Sequence, residues 1–542
     1  MPRTPAADAE SAGSEPGVAA WAWPAAALAI VAISLAPFLV VDVPAVMDYP
    51  NHLARFFILA HPHDPILSKM YAPHWTVLPN IGMDVLGQTL LSVLPPYVGG
   101  RIVLGLSQLA PLAGAALYAR AAFGRWTWWS LGVGVVAYNG VFFLGFMNFL
   151  LGLGVGLAGA AAWRVLRRHG RDKTAALAGA AIGLGAFFCH LLGFGLFALL
   201  IVAQELEPLL VDLWRRRRIP WRTAAYAAAL LAVALAPTSV LYALTRHPVV
   251  HGEIMVWKWD EKTLVSFTPF MTYSLAATAA TAAVVIGAAI VMTRTATRAP
   301  GVALALIGLV GLYIAAPFAG GGATYVDVRI PLMATLVLFA GVSPRASPRM
   351  AAAVAAAFAL TIVGRSALVA EHWLGHARDL AELRAQLAVV PPGAKLLPVC
   401  TNFPNSEPPR NGRRLAGYVR LDTNLEAVAL IDRRVFWPLL FADPSQQTVV
   451  VRAPYDRLGQ PLGYPALWET LFDDPPTPAT LAYFAYLRDW RNQYDFALLI
   501  GPPPKTIPTG LTLVRAGAES SLYRIGRAAP ATGAGSSAPG RG

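Results

Sequence analysis

The sequence predicts a mainly α-helical, polytopic membrane protein with about 11 transmembrane helices and a small C-terminal α/β domain outside the bilayer. Three observations carry this. Of the 542 residues, 56% are hydrophobic and only 13% are charged, whereas soluble domains carry about 25% charged residues. Apolar runs of about 20 residues, the length that crosses a hydrocarbon core, recur between Trp23 and Val369. Past Val369 the pattern changes to amphipathic and alternating segments with ordinary charge.

The spans fall at 22–43, 98–119, 127–144, 147–164, 174–190, 192–211, 223–244, 271–292, 301–319, 330–343 and 350–370. The stretch 76–96 (TVLPNIGMDVLGQTLLSVLPP) is also apolar, but it carries Asp84, Gln88 and three prolines. It reads as an interfacial segment of a long first outer loop, 44–97. Loop charge supports this. With eleven spans and an inner N-terminus, the inner loops hold Arg120 and Arg125; Arg164, Arg167, Arg168, Arg171 and Lys173; Arg215 to Arg218 and Arg222; Arg294 and Arg298; Arg345 and Arg349. The outer loops hold only Arg55, Lys69, Arg101, Arg246, Lys258, Lys262 and Arg329. Counting 76–96 as a span would move RVLRRHGRDK and WRRRRIPWR outside, against the positive-inside rule. The same rule accounts for the formal charge of +13 without nucleic acid.

Residues 1–21 lack the basic n-region of a signal peptide and read as a disordered tail before a retained first span. Residues 371–526 form the outer domain. EHWLGHARDLAELRAQLAVV begins it as an amphipathic helix, with Leu374, Leu380, Leu383 and Leu387 near helical spacing, and PPG ends that helix. AKLLPVC, QTVVV (447–451), DFALLIG (495–501) and SSLYRIG (520–526) read as strands, with helical turns near 424–432 and 478–491. The tail 527–542 is low-complexity and reads as disordered. The two cysteines, Cys189 and Cys400, lack metal-site spacing, and no disulfide between them is expected.

On this topology the unusual polar residues fall at outer ends. Asp48 and His52 lie in VMDYPNHLAR, Asn148 in GFMNFLLG and His190 in FFCHLLGFG. His251 and Glu253 lie in the fourth outer loop, and Tyr325, Asp327 and Arg329 in ATYVDVRIP. Ionisable groups at membrane depth are costly and mark function by default, so this set describes an outward-facing cavity. Each residue also has a plain structural role available. Asp48 before Tyr49-Pro50 suits a helix N-cap. Asn148 can close the turn between two spans, and His190 can be a satisfied polar group in a hairpin. His52 can be an ordinary interfacial histidine. Arg329 can snorkel to the interface, with Asp327 as its ion-pair partner if the segment is extended. Arg55 lies on a different part of the helix from Asp48, and a headgroup contact suffices for it. His52, His61 and His63 match no metal-site spacing, so no metal is predicted. The sequence contains no G-x-x-x-x-G-K-[ST], no G-x-S-x-G and no H-E-x-x-H, which argues against a cytosolic NTP-driven transporter.

Four features together resemble the GT-C superfamily of integral-membrane glycosyltransferases. An acidic residue, Asp48 in VPAVMDYPNHLAR, closely follows span one. About eleven spans run from an inner N-terminus. A basic residue next to a proline, Arg329 in YVDVRIPL, opens a late span, and a small α/β domain follows the last one. The resemblance implies a polyprenyl-phosphate-linked sugar as donor and a hydroxyl of a glycan, lipid or protein as acceptor. It implies Asp48 as general base with inversion at the anomeric carbon, and Arg329, oriented by Asp327, on the donor phosphate. His52, on the helical face of Asp48, would contact the carboxylate or the phosphate. His190 and Tyr325 are further binding candidates, and Asn148, His251 and Glu253 secondary ones. The acidic pair familiar in the superfamily is Asp48-Tyr49 here, so neither a second acidic ligand nor a divalent metal is implied. The expected location is the outer face of a bacterial inner membrane, with a cytoplasmic N-terminus. Two other readings stand beside it. A transporter or flippase for lipid-linked glycans should place charge deep in both halves of its spans. A non-catalytic membrane scaffold has no need of Asp48.

Overall fold

The computed structural model describes residues 21–245, 255–320, 323–402, 411–416 and 419–526. Both tails beyond these limits, and His251 and Glu253, lie outside the described residues. Among the described residues, twelve α-helices of ten or more residues order the membrane region: α1 (Ala22–Leu35), α2 (Tyr49–Ala60), α3 (Gly82–Leu91), α4 (Pro96–Phe123), α5 (Met147–Arg168), α6 (Asp172–Cys189), α7 (Leu191–Arg216), α8 (Trp221–Leu244), α9 (Leu275–Thr293), α10 (Val302–Ala315), α11 (Ile330–Gly341) and α12 (Pro348–Leu387). Eight of the predicted spans are helices long and apolar enough to cross a membrane, counting α1 with its 3-10 extension to Leu39. The chain is a multi-pass membrane protein.

The other three predicted spans are shorter or broken, for a physical reason. Between Trp128 and Leu144 the backbone alternates short α and 3-10 turns, and Val133, Val135, Val136, Val141, Phe142 and Phe143 are all buried. Irregular backbone is tolerated at membrane depth where protein rather than lipid surrounds it. Helix α11 is buried along most of its length, so it need not satisfy the full bilayer thickness. Helix α10 stops at Ala315, just ahead of Pro317.

Helix α3 occupies the ambiguous stretch 76–96. Its ten residues span about 15 Å at 1.5 Å per residue, too little to cross. It packs on α2 instead, where a Cβ on Gly87 would fall 2.3 Å from the Phe56 ring. Close approach also defines the α4–α5 crossing: a Cβ on Gly154 would lie 2.5 Å from the Ala110 backbone. Small residues let membrane helices approach this closely.

The last span and the predicted amphipathic helix are one element. Helix α12 has 40 residues, about 60 Å, so it carries the chain out of the membrane without a joint. Leu380, Leu383 and Leu387 are buried, whereas Leu374 is half exposed. Among the described residues, seven strands build the two sheets of this end of the molecule: β1 (Tyr71–Pro73), β2 (Leu396–Cys400), β3 (Val449–Val451), β4 (Ala466–Leu467), β5 (Phe496–Ile500), β6 (Leu511–Ala516) and β7 (Ser520–Ile525). The main sheet has the order β6-β7-β5-β2-β4. Strand β2 runs parallel to β5 and β4, and β7 runs antiparallel to β5 and β6. Strands β2 and β5 are wholly buried, as central strands with continuous apolar sequence should be. The edge strand β6 is mostly exposed, and its sequence LTLVRA was not predicted as a strand.

One predicted strand goes elsewhere. QTVVV yields β3, which leaves the main sheet and pairs antiparallel with β1 of the first loop, Tyr71 opposite Val451. The Tyr71 hydroxyl donates to the Trp437 carbonyl and accepts from the Trp437 amide, each at 2.9 Å. The loop 44–97 and the C-terminal domain are therefore stitched into one body, and the candidate site lies at this seam.

Candidate active site

The chain reaches the site through the segment preceding α2. The Met47 and Asp48 amides donate to the Phe143 and Leu144 carbonyls at 2.9 and 3.3 Å. This docks Asp48 on the turn that ends at Gly145. Gly145 has φ of 87°, and a Cβ there would lie 2.9 Å from both Cβ and N of Asp48. Only glycine permits that backbone conformation at that proximity.

Asp48 stands at the N-cap position of α2, but its side chain makes no capping bond. Pro50 in the first turn has already removed one donor. The carboxylate faces a cavity instead, and its Oδ1 accepts a hydrogen bond from Asn424 Nδ2 at 3.2 Å. Burial pushes the Asp48 carboxyl up to about 7, against the opposing pull of Arg329 and Arg55.

The cavity has a volume of about 470 Å³. It gathers groups from the ends of several helices: Asp48 just before α2 and His52 within it, Asn148 of α5, His190 between α6 and α7, Thr245 after α8, and Arg329 before α11. His52 is one helical turn from Asp48, and its Nδ1 is buried without a partner. Burial, aided by Arg55, holds its imidazole well below the ordinary range, so it is neutral. His190 does cap a helix: its Nδ1 accepts the Leu192 amide at 3.0 Å. A neutral imidazole that accepts at Nδ1 carries its proton on Nε2, so His190 offers a donor. Asn148 is a tether. Its side chain accepts from the Met83 amide at 2.8 Å and donates to the Asn80 carbonyl at 2.6 Å, which fixes the loop before α3 against α5.

Arg329 shares the cavity with Asp48, whose charge reaches it. Among the described residues it forms no ion pair, and its Nε is buried without a hydrogen-bond partner. Its guanidinium lies 4.3 Å from the centre of the Phe146 ring, a cation–π contact that holds the planar group in place. Burial pulls it down to about 10 while Asp48 opposes, so it stays charged at neutral pH.

The predicted pairing of Arg329 with Asp327 is corrected. The segment is a 3-10 turn, Asp327–Arg329, not an extended strand, so the two side chains diverge. Asp327 is buried and pairs with Lys262 at 3.0 Å; it does not line the cavity. Tyr325 is not a lining residue either. It sits with φ of 57° ahead of this turn, and its ring packs against Phe146 and Phe318 at 6.2 and 5.0 Å. A left-handed non-glycine residue costs about 1 kcal/mol or more and clusters at functional sites. Tyr325 and Asp327 thus shape the turn that presents Arg329.

Neither a protein-family model nor a characterised protein sequence matches the chain. Two solved structures are similar to it over nearly its whole length. ArnT from Cupriavidus metallidurans, bound to undecaprenyl phosphate, shares 12% identity over 93% of this chain and 98% of that one, with a TM-score of 0.49. The mycobacterial arabinofuranosyltransferase AftD shares 16% identity over 94% of this chain and 40% of that one, with a TM-score of 0.40.

Sequence reasoning missed two parts of the site. Arg55, read as a headgroup contact, is 1% exposed and lines the cavity. Its Nε pairs with Asp84 of α3 at 2.6 Å, and its Nη1 donates to Gln447 of the C-terminal domain. The signal was present, since Asp84 is the acid that stood out in 76–96. Arg55→Ala leaves Asp84 buried and uncompensated, which costs about 3–5 kcal/mol. A thermal melt in detergent should show a drop of several degrees, partly restored by adding Asp84→Asn. The second part is the rim at Phe441 and Ser445 to Gln447, supplied by the C-terminal domain from a loop without any motif.

Proposed function

We propose that the protein is a membrane glycosyltransferase that moves a sugar from a polyprenyl-phosphate donor to an acceptor hydroxyl at the outer face of the inner membrane. The observation that carries this reading is the pairing, in one cavity, of a carboxyl poised near neutrality with a guanidinium that forms no ion pair among the described residues. A sugar on a phosphate ester has an activated anomeric carbon. Two tasks remain: to take a proton from the acceptor, and to stabilise the phosphate as it departs. Asp48 suits the first, because a general base works best with a pKa near the operating pH. Arg329 suits the second, because a guanidinium binds phosphate oxygens bidentately and keeps its charge in low dielectric.

In this mechanism the acceptor oxygen attacks the anomeric carbon from the face opposite the phosphate. Its proton passes to Asp48 as the new C–O bond forms. The bond to the phosphate oxygen breaks, and polyprenyl phosphate leaves with its added charge against Arg329. The His190 Nε2–H donates a further hydrogen bond to the phosphate. The wall of the cavity is divided to match an amphipathic donor. Phe146, Phe149, Leu191 and Leu192 line it on the side of the membrane helices, and Ser445, Gln446 and Gln447 on the side of the C-terminal domain.

The test is turnover. The purified protein in nanodiscs, given a panel of polyprenyl-phosphate sugars with cell-envelope acceptors, should release polyprenyl phosphate from one of them. If no donor is consumed by transfer or hydrolysis, while proteoliposomes move a lipid-linked glycan across the bilayer, the site binds and transports rather than catalyses.

A further inference from the structure

Asn424 occupies the N-cap position of a short 3-10 turn, Leu425–Ala427, in the C-terminal domain, yet it makes no side-chain capping bond. Asparagine is among the best N-cap residues because its oxygen satisfies an orphan amide of the turn. Here that role is given up. The side chain is 4% exposed and reaches across the seam to the membrane domain. Its Nδ2 donates to the Met47 carbonyl and to Asp48 Oδ1, both at 3.2 Å. Its Oδ1 accepts from Asn51 Nδ2 at 3.2 Å. Asn51 is itself fully buried and held by the C-terminal domain: it donates to the Leu439 carbonyl at 2.9 Å and accepts from the Phe441 amide at 2.8 Å.

We propose that Asn424 is a positioning residue through which the C-terminal domain sets the orientation of Asp48, so that the catalytic carboxylate is complete only when this domain is docked. The inference rests on the glycosyltransferase reading for the use of Asp48, and on geometry alone for the coupling. Asn424 engages Oδ1 of Asp48 and leaves Oδ2 for the acceptor hydroxyl. Because Asn424 donates, it favours the ionised carboxylate. Arg329 and Arg55 favour the same form, while burial opposes it. His52 is neutral, and Tyr325 and Tyr464 are the other titratable groups whose fields reach Asp48. Removal of Asn424 therefore moves the Asp48 titration upward with every other charge in place.

The experiment compares wild type, Asn424→Ala and the isosteric Asn424→Asp in the full-length protein. Two quantities are read against pH: donor turnover, and the rate at which a carbodiimide modifies Asp48, followed by mass spectrometry of its peptide. Both variants should show the acid limb of kcat and the Asp48 modification profile moved to higher pH, with Asn424→Asp moved further because it adds an acid. At pH 7, kcat should fall about tenfold or more, within the range a misplaced general base produces, while KM for the donor changes less than about threefold. Unchanged profiles in both variants overturn the coupling, even if kcat falls, because a purely structural loss lowers amplitude without moving the limb. The modification profile needs no turnover. A shifted profile in a protein that consumes no donor upholds the coupling and rejects the transferase reading; an unshifted profile in an active enzyme does the reverse.

Discussion

Asp48→Asn should lower kcat by about a thousandfold, near the middle of the range general-base catalysis supplies, while leaving the KM for the donor close to its wild-type value. The asparagine is isosteric, and its carbonyl can still accept the Asn424 Nδ2 bond that holds the segment before α2. The loss is therefore chemical rather than architectural. The pH dependence makes the assignment specific. The carboxyl is pushed up to about 7, and a base must be ionised to act, so wild-type turnover falls as pH drops through about 7. That limb should vanish in Asp48→Asn. Stability runs the opposite way. A carboxyl whose folded pKa is raised is easier to protonate in the native state, so the native state loses stability as pH rises from the unfolded value of 3.8 through about 7. Asp48→Asn escapes this penalty and should melt no lower than wild type at pH 8, with any gap closing toward pH 4. A variant that keeps wild-type kcat, or that melts well below wild type at pH 8, removes Asp48 from the role of base.

How far the site could be read from sequence depended on whether each partner was local. Asp48, His52, His190 and Arg329 were found because each is a polar group in an apolar stretch, and loop charge assigned all four to one end. The structure places all four on one cavity. The Asp327–Arg329 pairing failed because it assumed a local backbone geometry. A 3-10 turn sends Asp327 to Lys262, 65 residues away in sequence, and this leaves Arg329 without an ion pair among the described residues. The role of Arg55 was hidden for the same kind of reason: its partners Asp84 and Gln447 come from two other segments, so burial could not be inferred from α2 alone. Asn424 had no signal at all. It sits in DTNLEAV, an ordinary turn start, and its contact with Asp48 joins residues 376 apart. The strand periods of the C-terminal domain were legible where strands are buried, as in β2 and β5. They misled in QTVVV, where the pairing partner is β1 of the first loop.

Arg329→Ala should produce the second large effect, and its form separates phosphate binding from general electrostatics. Removing one member of a buried, hydrogen-bonded charge pair costs about 2–5 kcal/mol, which is about 30- to several-thousandfold in kcat/KM at 1.4 kcal/mol per tenfold. The effect is expected to be large here because the guanidinium forms no ion pair among the described residues and keeps an unpartnered buried Nε. Arg329→Lys keeps a point charge but loses both the planar fork and the stacking on Phe146 at 4.3 Å, so it should retain part of the affinity and recover little of kcat. The two variants also differ in their pH profiles. The Arg329 charge pulls the Asp48 carboxyl down, so Arg329→Ala should move the acid limb of turnover upward, while Arg329→Lys should leave it near the wild-type position. Binding of polyprenyl phosphate alone, measured by tryptophan quenching or calorimetry in nanodiscs, isolates the ground-state share of the loss. If Arg329→Ala binds that lipid as tightly as wild type and keeps its kcat/KM, the cavity does not receive a phosphate at Arg329.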